Sequence, residues 1–185
     1  MRFSATFTSL ALFAVAAFAA PAERAALTAR DIPESIANAT ALGVDVYGPI
    51  PDDAKRVGDH WVAQPGSRAS AWMRAQIDLD QYEAAQGEQV EKRQWANIGI
   101  GLWAQDNCGG ESVWFDNVQY NVHHVTDINM FAVGIRYRGL RNGEHLDFSR
   151  WANNDLCGQY VASAAVPSTT GCANIPLTNC FRLWM

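Results

Sequence analysis

All four cysteines of this 185-residue chain, Cys108, Cys157, Cys172 and Cys180, fall in its second half. An even cysteine set becomes a covalent frame in an oxidising compartment and stays a set of thiols or metal ligands in a reducing one. The start of the chain decides between these outcomes. Met1 and Arg2 lead into the apolar run "LALFAVAAFAA", which ends in small residues, and a charged, then apolar, then small-residue order is that of a secretory signal peptide. Ala17 and Ala19 sit three and one positions before the Ala19–Ala20 bond, so residues 1–19 are expected to be removed after Ala19. The mature chain is therefore expected to be secreted and extracellular, with two disulfides.

Four cysteines allow three pairings. The sequence reading favours Cys157 with Cys172, closing the segment "CGQYVASAAVPSTTGC", and Cys108 with Cys180, tying the first strand region to the last. Beyond the leader no apolar run approaches the roughly 20 residues that a membrane span needs. The net charge is −5 and lysines and arginines form no cluster larger than a pair, which gives no support to a nucleic-acid stripe or a polybasic membrane patch.

A composition break lies at "EKRQW", where the dibasic pair Lys92-Arg93 separates two unlike halves. Both lysines of the chain, Lys55 and Lys92, precede the break, and all the cysteines and most of the aromatics beyond the leader follow it. Residues 20–93 read as a weakly organised segment that buries little, with prolines and aspartates in its middle and a polar helical tail, "RASAWMRAQIDLDQYEAAQGEQVEKR". Its Asn38-Ala39-Thr40 triplet is a glycosylation acceptor expected on an exposed surface. Signal peptide, aromatic-poor segment and cysteine-bearing domain, joined at Lys-Arg, make the pattern of a pro-segment cut by a kexin-type protease. The expected organisation is thus signal peptide 1–19, a partly helical or disordered pro-segment 20–93, and a disulfide-stabilised domain 94–185. Lys55-Arg56 is a second dibasic candidate.

The later half carries the two-residue periodicity of strands. In "INMFAVGIRYRGL", Phe131, Val133, Ile135 and Tyr137 alternate with Met130, Ala132, Gly134 and Arg136. The Asn142-Gly143 pair that follows favours a type I′ turn. Folding about it predicts a hairpin with Arg138 opposite Asp147 and Tyr137 opposite Phe148. Further strands are expected in "NIGIGLWA", "SVWFDNVQY", "GQYVASA" and "CFRLW". Together these predict a mainly β fold, a small antiparallel sandwich or compact barrel with Greek-key character and two disulfides.

On "EKRQW", "GIGLWAQDNC", "WFDNVQYN", "LRNGEHLDFS" and "NCFRLW", the chain resembles small secreted four-cysteine proteins of filamentous fungi, many of them candidate effectors, which carry a pro-segment ending in Lys-Arg. That resemblance implies no activity. The spacing of Trp103 and Gly110 in "WAQDNCGG" is similar to the βγ-crystallin Greek key, but Cys108 stands where that family has an acidic or aromatic residue. "NDLCG" also lacks the Ser or Thr of that family's calcium motif, so the likeness implies a two-sheet fold and no calcium site.

Three groups of residues could carry chemistry. Glu144 with His145 or His123 are the residue types of small guanyl-specific ribonucleases, in which a carboxylate and an imidazole share proton transfer. Adjacent strand residues point to opposite faces, however, so Glu144 and His145 read better as a turn residue and a surface residue. His123, His124 and Asp127 have the donors of a zinc site, yet their close spacing reads as a polar loop, and neither a metal nor a cofactor is expected. Trp103, Trp114, Trp151 and Trp184 either fill a small core or form a platform for sugar rings. The leading expectation is a processed protein that binds an extracellular protein or glycan without catalysis. The alternatives are a small secreted hydrolase such as a nuclease and a cell-wall carbohydrate-binding module.

Overall fold

A computed structural model of the chain describes residues 32–85, 98–165 and 171–185. Ala19, Lys92 and Arg93 lie outside the described residues.

The first described helix, α1 (Glu34–Ala41), buries Ile36 and Ala39 and places Glu34 in its first turn, where the helix dipole favours an acid. It stops at Gly43, whose φ of 70° allows a double closing turn. In that turn Gly43 N–H donates to Thr40 O and Val44 N–H to Ala39 O, which satisfies two carbonyls at the helix end. The sequon Asn38 is exposed on this helix. A short hairpin follows, β1 (Lys55–Val57) and β2 (His60–Ala63). The long helix α2 (Arg68–Ala85) starts on two caps. Ser67 Oγ accepts Ser70 N–H at 3.0 Å, and the Asp53 carboxylate accepts Arg68 N–H at 2.7 Å and Ala69 N–H at 2.9 Å, filling orphan donors of the first turn.

The remaining strands are β3 (Gly99–Gln105), β4 (Gly109–Phe115), β5 (His123–Arg136), β6 (His145–Ala152), β7 (Asp155–Ala165) and β8 (Gly171–Trp184). All pair antiparallel in one eight-stranded sheet of order β1-β2-β4-β3-β5-β8-β6-β7. The expected β architecture is therefore realised as one continuous sheet, where the crystallin likeness implied two. Register shifts in β3, β5 and β6 bend it. The sheet curls so far that Phe115 on β4 meets Phe181 on β8, ring centroids 4.9 Å apart, across two intervening strands.

Inside the curl lie Ile98, Ile100, Leu102, Val113, Phe115, Met130, Val133, Ile135, Leu146, Phe148, Phe181 and Leu183. On the outer face, Trp103, Trp114 and Ala132 pack with Ile36, Trp72, Met73, Ile77 and Leu79 from the helices. The alternation read in β5 holds from Ala132 to Arg136. It breaks at the shift between Met130 and Ala132, which turns Met130 into the inner core and leaves Phe131 partly exposed.

Residues 32–85 are partly helical, as read, but the expectation that they bury little is overturned. Met73, Ala75 and Ile77 are fully buried. An ideal Cβ on Gly134 would stand 2.4 Å from Ile77 Cγ2, so only glycine lets α2 approach β5 this closely. The polar look of α2 concealed this face because Gln76 and Glu83, both buried, have partners in the sheet: Arg136 Nε donates to Gln76 Oε1 at 3.1 Å, and Arg136 Nη1 lies 3.6 Å from Glu83 Oε2.

Two further expectations are corrected. No hairpin joins β5 to β6, because β8 lies between them. Tyr137, with φ of 74°, ends the strand direction of β5, and of the central pair Asn142-Gly143 only Gly143 has positive φ. Arg138 then pairs with Glu144 instead of Asp147, while Phe148 stands opposite Phe181 and Asp147 opposite Arg182. The disulfides are Cys108–Cys172 and Cys157–Cys180, and not Cys157–Cys172 and Cys108–Cys180. The segment between Cys157 and Cys172 is no local hairpin, since β7 pairs with β6 and β8 begins against β5, with Cys172 opposite Gly134.

Candidate functional site

Glu144 is fully buried, and its carboxylate is committed. Arg138 donates to it through both Nη atoms at 2.7 and 2.9 Å, Arg141 N–H donates at 2.6 Å, and the Tyr120 hydroxyl donates as well. Burial alone would raise this carboxyl, but Arg138, the Arg141 N–H and Tyr120 outweigh it and hold the group at about 2. Burial, with the hydrogen bond to the same carboxylate, pushes the Tyr120 phenol up. A carboxylate so placed clamps the 138–144 loop against Tyr120 and is not directed at solvent. Its neighbour His145 lies on the opposite face, half-buried and stacked on Trp184 at 4.5 Å. His123 is exposed opposite Arg182 on β8.

His123, His124 and Asp127 belong to β5, where a polar loop was expected. His124 is buried while His123 and Asp127 are exposed, and among the described residues no three His, Cys, Asp or Glu side chains gather as a metal site. His124 instead joins a constellation that sequence reading missed. Asp59, at the tip of the β1–β2 hairpin, takes His60 Nδ1 at 3.0 Å and His124 Nδ1 at 2.8 Å. Burial would raise Asp59, yet the hydrogen bonds from His124 and His60 leave it lowered. The His124 ring stacks on Phe181 at 5.0 Å, and its Nε2 is buried without a hydrogen-bond partner. This carboxylate–imidazole pair therefore fastens the hairpin to β5 and presents no ring nitrogen of His124 to a substrate.

The four tryptophans divide. Trp103 and Trp114 are in the core at 1% and 0% exposure, where the neighbouring glycines make room: a Cβ on Gly101 would stand 2.3 Å from Trp103 Cη2. Trp184 leans on His145 and donates from Nε1 to Asp147 Oδ2 at 2.6 Å. Trp151 is 62% exposed.

Trp151 stands on the β6–β7 hairpin together with two further exposed apolar groups, Leu156 and Tyr160, 55% and 60% exposed. Asn153 and Asn154 turn the chain with φ of 53° and 62°, the pair of positive φ values that a type I′ turn requires. Ser149 faces Tyr160, Arg150 faces Gln159 and Ala152 faces Asp155, so Trp151 alone is set against Leu156, Cys157 and Gly158. Gly158 is obligatory there, since a Cβ would lie 2.3 Å from Ala152 O.

Three links hold this ribbon in one shape: the Cys157–Cys180 bridge to β8, Trp151 N–H to Asn179 Oδ1 at 3.1 Å, and Arg150 Nε to Gln159 Oε1 at 2.8 Å. Two exposed aromatics on one ribbon, bordered by asparagines, glutamine and aspartate, can stack on flat apolar rings while the rim hydrogen-bonds. Comparison with family models, with curated proteins and with solved structures finds no match to this chain.

Proposed function

We propose that this chain is a secreted protein, matured by removal of residues 1–19 and by cleavage after Arg93, that acts by binding an extracellular protein or glycan through its β6–β7 hairpin. The supporting observation is the coincidence of three exposed large apolar side chains, Trp151, Leu156 and Tyr160, on a ribbon tied by Cys157–Cys180. Exposed apolar groups of this size mark interaction surfaces, and a surface held in one conformation loses less entropy on binding. Glu144, the carboxylate of the hydrolase alternative, is consumed by Arg138, Arg141 and Tyr120, which favours binding over proton transfer.

The test is retention of labelled wild-type and Trp151→Ala/Tyr160→Ala protein on insoluble chitin, on β-glucan and on intact fungal cells. Burial of one such aromatic is worth about 1.5 to 3 kcal/mol, so each truncation should weaken binding about ten- to hundredfold. Because both side chains point outward, unfolding stability should stay within about 0.5 kcal/mol of wild type. Equal retention of the double variant would show that the hairpin is not the contact surface. Retention on chitin or β-glucan alone would identify a glycan partner.

A further inference from the structure

We propose that cleavage after Arg93 releases no fragment: residues 32–85 stay docked on the outer face of the sheet, and the mature protein is a non-covalent two-chain complex. The inference rests on the processing step proposed above and goes beyond it, because a pro-segment is ordinarily taken to be discarded.

Four features of the interface carry it. First, β2 is a member of the sheet. It pairs with β4 from His60 opposite Phe115 to Ala63 opposite Ser112, so its loss would open the β4 edge to any free strand. Second, α2 covers an apolar face shaped for it. Ile77 fills the space above Gly134, and Trp72 packs edge-on to Trp114 at 5.6 Å. Third, polar groups across the boundary complete one another. Gln76 bridges from Val46 O, at 2.7 Å, to Arg136 Nε, Glu83 is the acid beside the buried Arg136 guanidinium, and Asp59 holds His124. Removing the segment would expose the apolar outer face, with Trp103, Trp114 and Ala132, to water and would break the Arg136 contacts to Gln76 and Glu83. Fourth, both disulfides close within residues 108–180, so nothing covalent would join the two chains after cleavage. Their union rests on packing and hydrogen bonding alone, and it is reversible by dilution.

Lys55-Arg56 fits the same arrangement. It lies within β1, paired to β2 with Lys55 opposite Val62, and Arg56 rests over the Trp61 ring at 5.4 Å. Both side chains are exposed on this edge strand, but its pairing with β2 holds the bond in the sheet and disfavours cutting there.

The experiment treats the disulfide-bonded chain 20–185 with a kexin-type protease and follows it by denaturing mass spectrometry, native mass spectrometry and size exclusion at micromolar concentration. Two masses after denaturation, but one particle eluting with the uncut protein, is the expected result. Separation into a 20–93 species and a 94–185 species overturns the inference while leaving the processing reading intact. An uncut Lys92-Arg93 bond overturns the processing reading. A variant with a specific viral-protease site inserted between residues 86 and 97 then decides retention by the same two outcomes. Ile77→Asp in that variant supplies the specific control. It should stay intact as one chain, lose co-elution once cut, and shift tryptophan emission to the red as Trp103 and Trp114 meet water. Co-elution of the cut Ile77→Asp protein would place the retaining contacts elsewhere and overturn the assignment of this face.

Discussion

Replacing Glu144 by glutamine keeps the shape of the side chain and removes its charge, so it isolates what the carboxylate contributes. The magnitude follows from proton linkage. The carboxyl falls from an ordinary 4.5 to about 2 on folding, and each pKa unit is worth about 1.4 kcal/mol, giving about 3 kcal/mol. Loss of one partner from a buried ion pair costs about 3 to 5 kcal/mol in general, and Arg138 is only 18% exposed, so the two routes agree.

The sign with pH is definite. A depressed carboxyl stabilises the folded state fully above its unfolded value near 4.5 and loses that stabilisation as pH falls through the folded value. Urea unfolding of wild type and Glu144→Gln should therefore differ by about 3 kcal/mol from pH 5 to 7, by about half of that or less at pH 3 and by little at pH 2. By then the wild-type carboxyl is half protonated and resembles the amide. In a domain of this size the neutral-pH gap corresponds to a melting temperature lower by about 6 to 12 °C. A gap below about 1 kcal/mol at pH 7, or one that persists unchanged at pH 2, would refute the reasoning.

Gly134→Val should destabilise the uncut chain by about 1 to 3 kcal/mol, because Ile77 already occupies the space a side chain would take; thermal unfolding measures it, and a neutral result would mean that α2 does not sit as closely as described. Opening Cys108–Cys172 with paired serines should cost more than opening Cys157–Cys180, about 4 against about 3 kcal/mol, because the closed loops span 64 and 23 residues. Denaturant midpoints of the two double variants check the order. Peptide mapping without reductant should recover these two pairings and no Cys157–Cys172 peptide.

What could be read from the sequence was the part carried by local pattern. The run Ala132 to Arg136 alternates because β5 has a packed layer on each side, and the glycines of "NIGIGLW" alternate with apolar residues for the same reason: Gly101 faces the Trp103 ring while Ile100 and Leu102 face the inner core. That glycine spacing was a legible sign that Trp103 is buried. The partner of β5 on the outer side was not legible. Gln76 and Glu83 make α2 look solvated, and their partners lie elsewhere in the chain: Val46 O and Arg136 for Gln76, and Arg136 for Glu83.

The Arg138–Glu144 clamp was missed because Asn142-Gly143 suggested a hairpin, and alternation then sent Arg138 to Asp147. A non-local strand, β8, occupies the place where that hairpin would have formed. The same insertion explains the misjudged cysteines. Trp151 could be told from Trp103 only by the absence of flanking glycines and the presence of Asn153-Asn154 beyond it, a weak signal that the site lay on a protruding turn.

The position of β8 also sets a timetable for biosynthesis. It is the last described strand to leave the ribosome, yet it lies between β5 and β6 and carries one cysteine of each bridge, Cys172 and Cys180. Until it arrives, β5 and β6 have no common neighbour and Cys108 and Cys157 have only each other to oxidise with. Correct assembly must therefore wait until residues 171–184 have been synthesised. A chain truncated before residue 171 would hold Cys108 and Cys157 without their native partners and β5 and β6 without the strand between them, an aggregation-prone intermediate and not a smaller working protein.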